Sequence, residues 1–288
     1  MKKILFSGLI AAMSIFAISC SGYKKTDGGL LYKFYQENKD ARQAQVGDII
    51  EAYVVFMMDS TVQYKNDKPE KLFQVSEQSM FNGDINEGLT LLHEGDSVVF
   101  KISVDSIMKY QGGINTTGEQ YAVYGIKVTR IISESEYNAE LEAESERMKP
   151  VEDSLIRDYL KEHKLNAVPA ESGIYFIPVR KGSGAKLTHG QEVKVNYVGK
   201  MLDGRIFDGN WESELKKAGI NTEGGRFNPI TVNLGTGQVI PGFEEAIMLM
   251  QKGGRATVIM PSSLAYGPHG NQGIPPFSPL VFDLEILK

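Results

Sequence analysis

The sequence predicts an α+β protein made of two copies of one antiparallel fold, joined by a charged helical linker. Three observations carry this reading. First, the chain repeats itself: Gly29-Leu30-Leu31-Tyr32 aligns with Gly173-Ile174-Tyr175-Phe176, and at the same spacing Tyr53 falls on Tyr197. After an insertion in the second copy, Gly95 aligns with Gly253, Val98 with Ala256, and Val123-Tyr124-Gly125-Ile126 with Val281-Phe282-Asp283-Leu284. Second, Val193-Lys194-Val195-Asn196-Tyr197-Val198 alternates with the period of a half-buried strand, and Ala256-Thr257-Val258-Ile259-Met260 and residues 280–287 have the same strand character. Third, Gly242-Phe243-Glu244-Glu245-Ala246-Ile247-Met248-Leu249-Met250 has apolar residues at helical spacing and is closed by Gly253-Gly254. Several strands and one short helix make a domain in which the helix covers one face of an antiparallel sheet.

Taken in order, residues 1–20 read as a secretory leader. Lys2 and Lys3 form a short positive region, and an apolar stretch from Ile4 to Ile18 follows. The stretch ends at Cys20, the only cysteine, preceded by Ala17-Ile18-Ser19. A lone cysteine makes no internal disulfide. Its place just after the apolar run marks it as a lipidation site, and an ordinary leader with a chance cysteine is the alternative. Residues 27–133 form the first copy and 168–288 the second. Between them, 134–167 is rich in Glu and Lys, with Tyr137, Leu141, Met148, Val151, Leu155 and Tyr159 mostly three or four apart. Pro150 requires either two helices meeting near Lys149 or one helix kinked there. The apolar stripe reads as a spacer packed on its own domains; the alternative is a homodimer through the linker.

Charge and composition exclude several classes. A net charge of −5 argues against nucleic-acid binding, which uses a basic face. Hydrophobic residues at 42% and charged residues at 23% are those of a folded chain, not a disordered one. His93, His163, His189 and His269 show no metal-ligand spacing, and no phosphate-binding or dinucleotide fingerprint occurs, so neither a metal nor a cofactor is expected.

Four segments of the second copy carry a resemblance. They are Val195-Asn196-Tyr197-Val198-Gly199-Lys200-Met201-Leu202-Asp203-Gly204-Arg205-Ile206-Phe207-Asp208; Leu234-Gly235 with Gln238-Val239-Ile240-Pro241-Gly242-Phe243-Glu244-Glu245-Ala246; Gly253-Gly254-Arg255-Ala256; and Pro261 with Leu264-Ala265-Tyr266-Gly267, Ile274-Pro275-Pro276 and residues 280–285. In order and spacing they resemble the FKBP-type peptidyl-prolyl cis-trans isomerase domain from end to end. The resemblance implies two FKBP-like domains, each a curved antiparallel sheet wrapped around one short helix. It also implies an aromatic and aliphatic cavity between sheet and helix. On that pattern Tyr197, Phe207, Asp208 and Tyr266 are the catalytic set, and Ile230, Val239, Ile240, Phe243, Ile274 and Phe282 line the substrate. The whole chain is similar to bacterial lipoproteins with FKBP domains. That implies an anchor at Cys20 in a bacterial membrane, a periplasm-facing or surface location, and proline-containing clients among exported proteins.

The residue types suit the reaction. Rotating an X-Pro amide loses partial double-bond character against a barrier of roughly 18–20 kcal/mol. The twisted amide is less dipolar than the planar one, so an apolar surround favours it. The resemblance implies that the Tyr266 hydroxyl and the Ile240 N–H donate to substrate carbonyls, and that Asp208 polarises the amide or orients Tyr197. Taken singly, Val239, Ile240, Phe282, Tyr197 and Phe207 read as core, and Asp208 as a turn residue before Gly209. Phe243 and Ile230 stand where the family often has larger aromatics. A chaperone or scaffold that binds proline-containing segments without turnover is the alternative function. About 20 residues between Asp208 and Ile230, with Trp211, exceed the family's usual length and read as a flap or a solvated loop. Carried to the first copy, Tyr197 maps to Tyr53, Phe207 and Asp208 to Gln63 and Tyr64, Phe243 to Ile85, Tyr266 to Met108 and Phe282 to Tyr124. Most of the pocket set is lost there, so the first copy is expected to keep the fold without the activity.

Overall fold

The structure, a computed structural model, describes residues 22–58, 60–113, 120–225 and 227–288. The leader and Cys20 lie outside the described residues. The chain divides into two compact units, one ending at Asn138 and the other beginning at Ala139. No helix among the described residues is long and apolar enough to cross a membrane.

The first unit contains β1 (Lys24–Lys25), β2 (Leu31–Gln36), β3 (Ile49–Met58), β4 (Thr61–Lys65), β5 (Glu70–Gln74), α1 (Asn86–Leu89), β6 (Ser97–Ser103), α2 (Val104–Tyr110) and β7 (Tyr121–Ile132). Its strands are antiparallel in the order β1-β2-β6-β7-β3-β4, with β5 also pairing with β3. Then comes α3 (Glu134–Glu162), followed by β8 (Tyr175–Arg180), β9 (Glu192–Met201), β10 (Ile206–Gly209), α4 (Glu212–Lys217), β11 (Ile230–Asn233), α5 (Pro241–Met248), β12 (Arg255–Met260) and β13 (Leu280–Ile286). The second sheet runs β10-β9-β13-β12-β8, with β11 also pairing with β9. The two sheets therefore share one path, β2-β6-β7-β3-β4 matching β8-β12-β13-β9-β10.

The register repeats in detail. Gly95 N–H donates to the Val128 carbonyl as Gly253 N–H donates to that of Ile286. Tyr124 pairs with Phe100, and Phe282 with Val258. Larger Phe100 is accommodated because Gly88 in α1 faces it; a Cβ on Gly88 would lie 2.5 Å from its ring. The second copy has Ala246 where the first has Gly88 and Val258 where it has Phe100, so volume is conserved across the facing pair.

One sequence correspondence shifts. Tyr124 pairs with Phe56 and Ile126 with Val54, whereas Phe282 pairs with Gly199 and Leu284 with Tyr197. The structural counterpart of Tyr197 is therefore Val54, not Tyr53. Val54 is buried, and Tyr53 is 38% exposed on the other face. A slip of one residue reverses every side chain of a strand. It arises because the chain takes one residue more between paired Lys200 and Ile206 than between the equivalent pair, Met57 and Val62.

The linker is one helix, with Pro150 inside it. Ser133 and Glu136 form its capping box: Glu136 N–H donates to Ser133 Oγ at 3.2 Å, and Ser133 N–H donates to Glu136 Oε2 at 2.8 Å. The stripe that packs is Glu152, Ile156 and Leu160, while Val151 and Leu155 stay exposed. Ile156 and Leu160 cover Tyr175, Ile259 and Val281 on the outer face of the second sheet. Of the stripe read from sequence, Tyr159 is half-buried against this same cluster, while Val151 and Leu155 are turned away from it.

Candidate active site

The inner face of the second sheet is closed by α5. Pro241 opens this helix at its first turn, where a missing N–H costs nothing, and leaves Ile240 extended at the cap, with φ −57° and ψ 147°. Gly242 permits the close approach, since a Cβ there would meet Met260 Sδ at 2.7 Å. The helix buries Phe243, Ala246 and Ile247 against the sheet.

Phe243 and Phe282 meet edge to face with centroids 5.2 Å apart. Tyr197 stands edge-on to Phe243 at 5.6 Å, and Phe207 edge-on to Phe282 at 5.7 Å. These are favoured quadrupolar arrangements, so the rings form one interlocked set. Phe243, Phe282 and Ile274 are buried in this cluster, while Tyr197, Phe207, Ile230, Val239, Ile240 and Tyr266 are half-buried at its border. Every apolar or aromatic candidate thus falls in one cluster. Asp208 joins it by polarity: the Tyr197 hydroxyl donates to Asp208 Oδ2 at 2.7 Å, and Gly209 N–H donates to Oδ1 at 2.8 Å. Burial, then the bond to Asp208, raises the Tyr197 phenol well above its ordinary range, so it remains a neutral donor.

A bulge aims these side chains. On β10, Ile206 pairs with Lys200 and Asp208 with the adjacent Gly199, leaving Phe207 as the extra residue. Gly199 makes room for it: a Cβ there would lie 2.6 Å from the Phe207 ring and 2.9 Å from Phe282. The same bulge occurs on β4, where Gln63 is the extra residue between Val62 and Tyr64. In that copy Phe56 replaces Gly199 and stacks on Tyr124, with centroids 4.6 Å apart. Tyr64 replaces Asp208, and its hydroxyl donates to Glu70 at 2.8 Å.

Sequence reasoning passed over several residues. Asn210 is buried; its Oδ1 accepts from Tyr197 N–H at 2.7 Å and its Nδ2 donates to the Val195 carbonyl at 3.0 Å and to that of Asn228 at 3.1 Å. Asn66 does the same for Val54 and Ala52. Recurrence of this asparagine two residues beyond Asp208 and Tyr64 was the available signal. Phe176, Leu264 and Ala265 also border the cluster.

The segment between Asp208 and Ile230 is packed at its start, at Trp211 and Leu215, while residues 216–221 and 223–225 are exposed to solvent. Trp211 and Leu215 bury Val198, which points away from the aromatic cluster. The Arg255 guanidinium lies 4.6 Å from the Trp211 ring. Arg255 and Arg180 each donate to Glu285 Oε1 at 2.9 Å, and Asn196 donates to Oε2 at 3.1 Å. Burial pushes the Glu285 carboxyl up, but these donors outweigh it and hold the group below its usual value.

Residues 184–287 match the profile of the family described as FKBP-type peptidyl-prolyl cis-trans isomerase. An FK506-binding protein of Neisseria meningitidis serogroup B is 34% identical over 117 residues, covering 40% of this chain and 95% of that protein. The FKBP-type 22 kDa peptidyl-prolyl cis-trans isomerase of Escherichia coli is 37% identical over 133 residues, covering 45% of this chain and 57% of that one. Among solved structures, FkpA from Escherichia coli aligns with a TM-score of 0.39 at 29% identity, covering 54% of this chain and 67% of that one. With one relative matched over nearly its whole length, the chain belongs to the FKBP-type peptidyl-prolyl cis-trans isomerases.

Proposed function

We propose that the second domain turns over X-Pro amides on the surface formed by Tyr197, Phe207, Asp208, Phe243, Tyr266 and Phe282, and that it serves the folding of exported proteins. The observation that carries this reading is the Tyr197–Asp208 bond at the edge of an interlocked aromatic cluster. The rings supply a surround of low polarity in which the twisted, less dipolar amide is favoured over the planar one. Tyr197 is held as a neutral donor, and its bond fixes the Asp208 carboxylate beside Phe207. The Tyr266 hydroxyl and the Ile240 N–H hold the flanking carbonyls of the substrate. No bond is made or broken, so these groups orient, desolvate and polarise. Each tenfold of rate corresponds to about 1.4 kcal/mol of differential stabilisation.

In this reading the first domain keeps the frame without the activity. Val54 replaces the Tyr197 phenol, Phe56 fills the space above Gly199, and Tyr64 replaces the carboxylate. In the same reading the leader and Cys20 support a lipid anchor in a bacterial membrane, with the chain facing the periplasm or the cell surface and more than one acyl chain giving a stable hold.

The test is a protease-free isomerisation assay of the full chain on X-Pro peptides. Asp208→Ala and Tyr266→Phe should each lower kcat/KM by about tenfold or more, a loss equivalent to one well-placed polar contact. A folded chain that binds such peptides without accelerating their isomerisation supports instead a module that holds proline-containing segments. For the anchor, metabolic labelling with a radioactive fatty acid should mark the wild-type chain and fail with Cys20→Ser.

A further inference from the structure

The helix α3 contributes one buried carboxylate to the second domain. Glu152 is 4% exposed, and its two oxygens have separate duties. Oε2 accepts from the Ser262 N–H at 2.6 Å, and Oε1 accepts from the Ser262 hydroxyl at 2.6 Å. A buried carboxylate with a hydrogen-bond donor for each oxygen is firmly held, because breaking either bond leaves a desolvated charge unmet.

Ser262 opens the single turn Ser262–Leu264, which leads directly into Ala265 and Tyr266. Beyond it, Leu264 packs against α5, where a Cβ on Gly242 would lie 3.1 Å from Leu264 Cβ. Leu264, Ala265 and Tyr266 all border the aromatic cluster. At the far end, the Gly267 carbonyl accepts from Phe277 N–H at 3.0 Å. The segment that presents Tyr266 is therefore pinned at both ends and on its inner side, and the pin at its start comes from a helix far away in sequence. Ile156 and Leu160, one and two turns beyond Glu152, seat that helix on Ile259 and Val281.

We propose that Glu152 is a positioning residue for the isomerase reaction: from α3 it fixes the turn at Ser262 and so sets the Tyr266 hydroxyl against the substrate. The proposal rests on the role given above to Tyr266. Glu152 itself touches neither substrate nor the reacting amide; it acts through residues 262–266. The helix is thus part of the catalytic domain's working structure and not only a tether.

The test is a double-mutant cycle on the full chain, read as kcat/KM for an X-Pro peptide by the protease-free assay, with circular dichroism confirming folding. Glu152→Ala should lower kcat/KM by about tenfold, the worth of one correctly placed donor. Glu152→Gln, whose carboxamide oxygen can accept the amide and whose NH2 can donate to the hydroxyl, should recover most of it. Tyr266→Phe should cost much less in the Glu152→Ala background than in the wild type, because the two residues act on one contact. Leu215→Ala loosens the packing on Val198, away from both the carboxylate and the aromatic cluster, and should lower the melting temperature while leaving kcat/KM near wild type. Should Glu152→Ala not fold, Ser262→Ala, which cuts one of the two bonds, goes through the same cycle. Undiminished activity in Glu152→Ala, an equal loss in Leu215→Ala, or a full Tyr266→Phe penalty in both backgrounds would overturn the proposal. A wild-type chain indifferent to Tyr266→Phe would instead remove the role of Tyr266, and the proposal with it.

Discussion

Single residues set both the chemistry and the local frame. The Tyr197 phenol is raised by burial and by its bond to Asp208, whereas an ordinary tyrosine titrates near pH 10. A group whose folded value is raised contributes stability below its unfolded value and loses it as pH rises through the folded one. So kcat/KM should show no loss from Tyr197 between about pH 7 and 10. A wild-type decline centred near pH 10 that disappears in Tyr197→Phe would contradict this. Asn210 has the opposite role, meeting one N–H and two carbonyls in the interior. Asn210→Ala should destabilise the second domain by about 3 kcal/mol, since each buried group left unmet costs about 1–3 kcal/mol. Asn66→Ala should do the same in the first, by chemical denaturation. The aromatic candidates were legible because their order and spacing survive in one copy. Asn210 was not, because its partners are backbone groups, and no side-chain pattern announces a backbone partner.

Elements explain why one frame holds two different interiors. The bulge on β10 and β4 presents Phe207 in one copy and Gln63 in the other, on the same backbone path. Because the first copy carries Phe56 where the second has Gly199, the fold itself tolerates a large side chain at that position. Gly199→Val should therefore leave the domain folded while displacing Phe207 and lowering kcat/KM by at least tenfold, a shift of about 1.4 kcal/mol or more. Unchanged activity in a folded variant would contradict the role given to Phe207. At the start of α3, hydrogen bonds from Ser133 and then from Arg42 lower the Glu136 carboxyl to about 2. With a depressed folded value, its contribution is present above about pH 4.3, the unfolded value, and is lost as pH falls toward the folded one. The stability gap between wild type and Ser133→Ala should accordingly be widest near neutrality and narrow on acidification, as thermal melts along that series would show. Strands β9, β12 and β13 and helix α5 were legible from their periods. The alignment of Tyr53 with Tyr197 failed because sequence spacing does not reveal which of two turns holds the extra residue, and a single extra residue reverses the pleat. The packing stripe of α3 was read only in part, at Tyr159, for a related reason: a helix rich in charge offers several faces, and only the surface it meets selects Ile156 and Leu160.

At the scale of the molecule, the repeated strand order gives two frames and, on the reading proposed here, one working surface. Residues 22–133 expressed alone should show no isomerase activity; acceleration by that fragment would contradict the division of labour. Acid should weaken the second unit through Glu285, whose lowered value means that its contribution holds at neutral pH and is lost as its carboxyl protonates. The family profile begins at residue 184, yet the compact unit begins at Ala139, because β8 and the later turns of α3 complete it. Limited digestion should reveal that difference as a border: trypsin should cut early at exposed Arg147, while Arg157 and Lys161, on the turns clamped by Ile156 and Leu160, resist until the whole unit melts. The smallest durable piece of this enzyme would then be longer than its family outline, and one trimmed to that outline would lose β8 with Tyr175 and leave Ile259 and Val281 bare and prone to clumping.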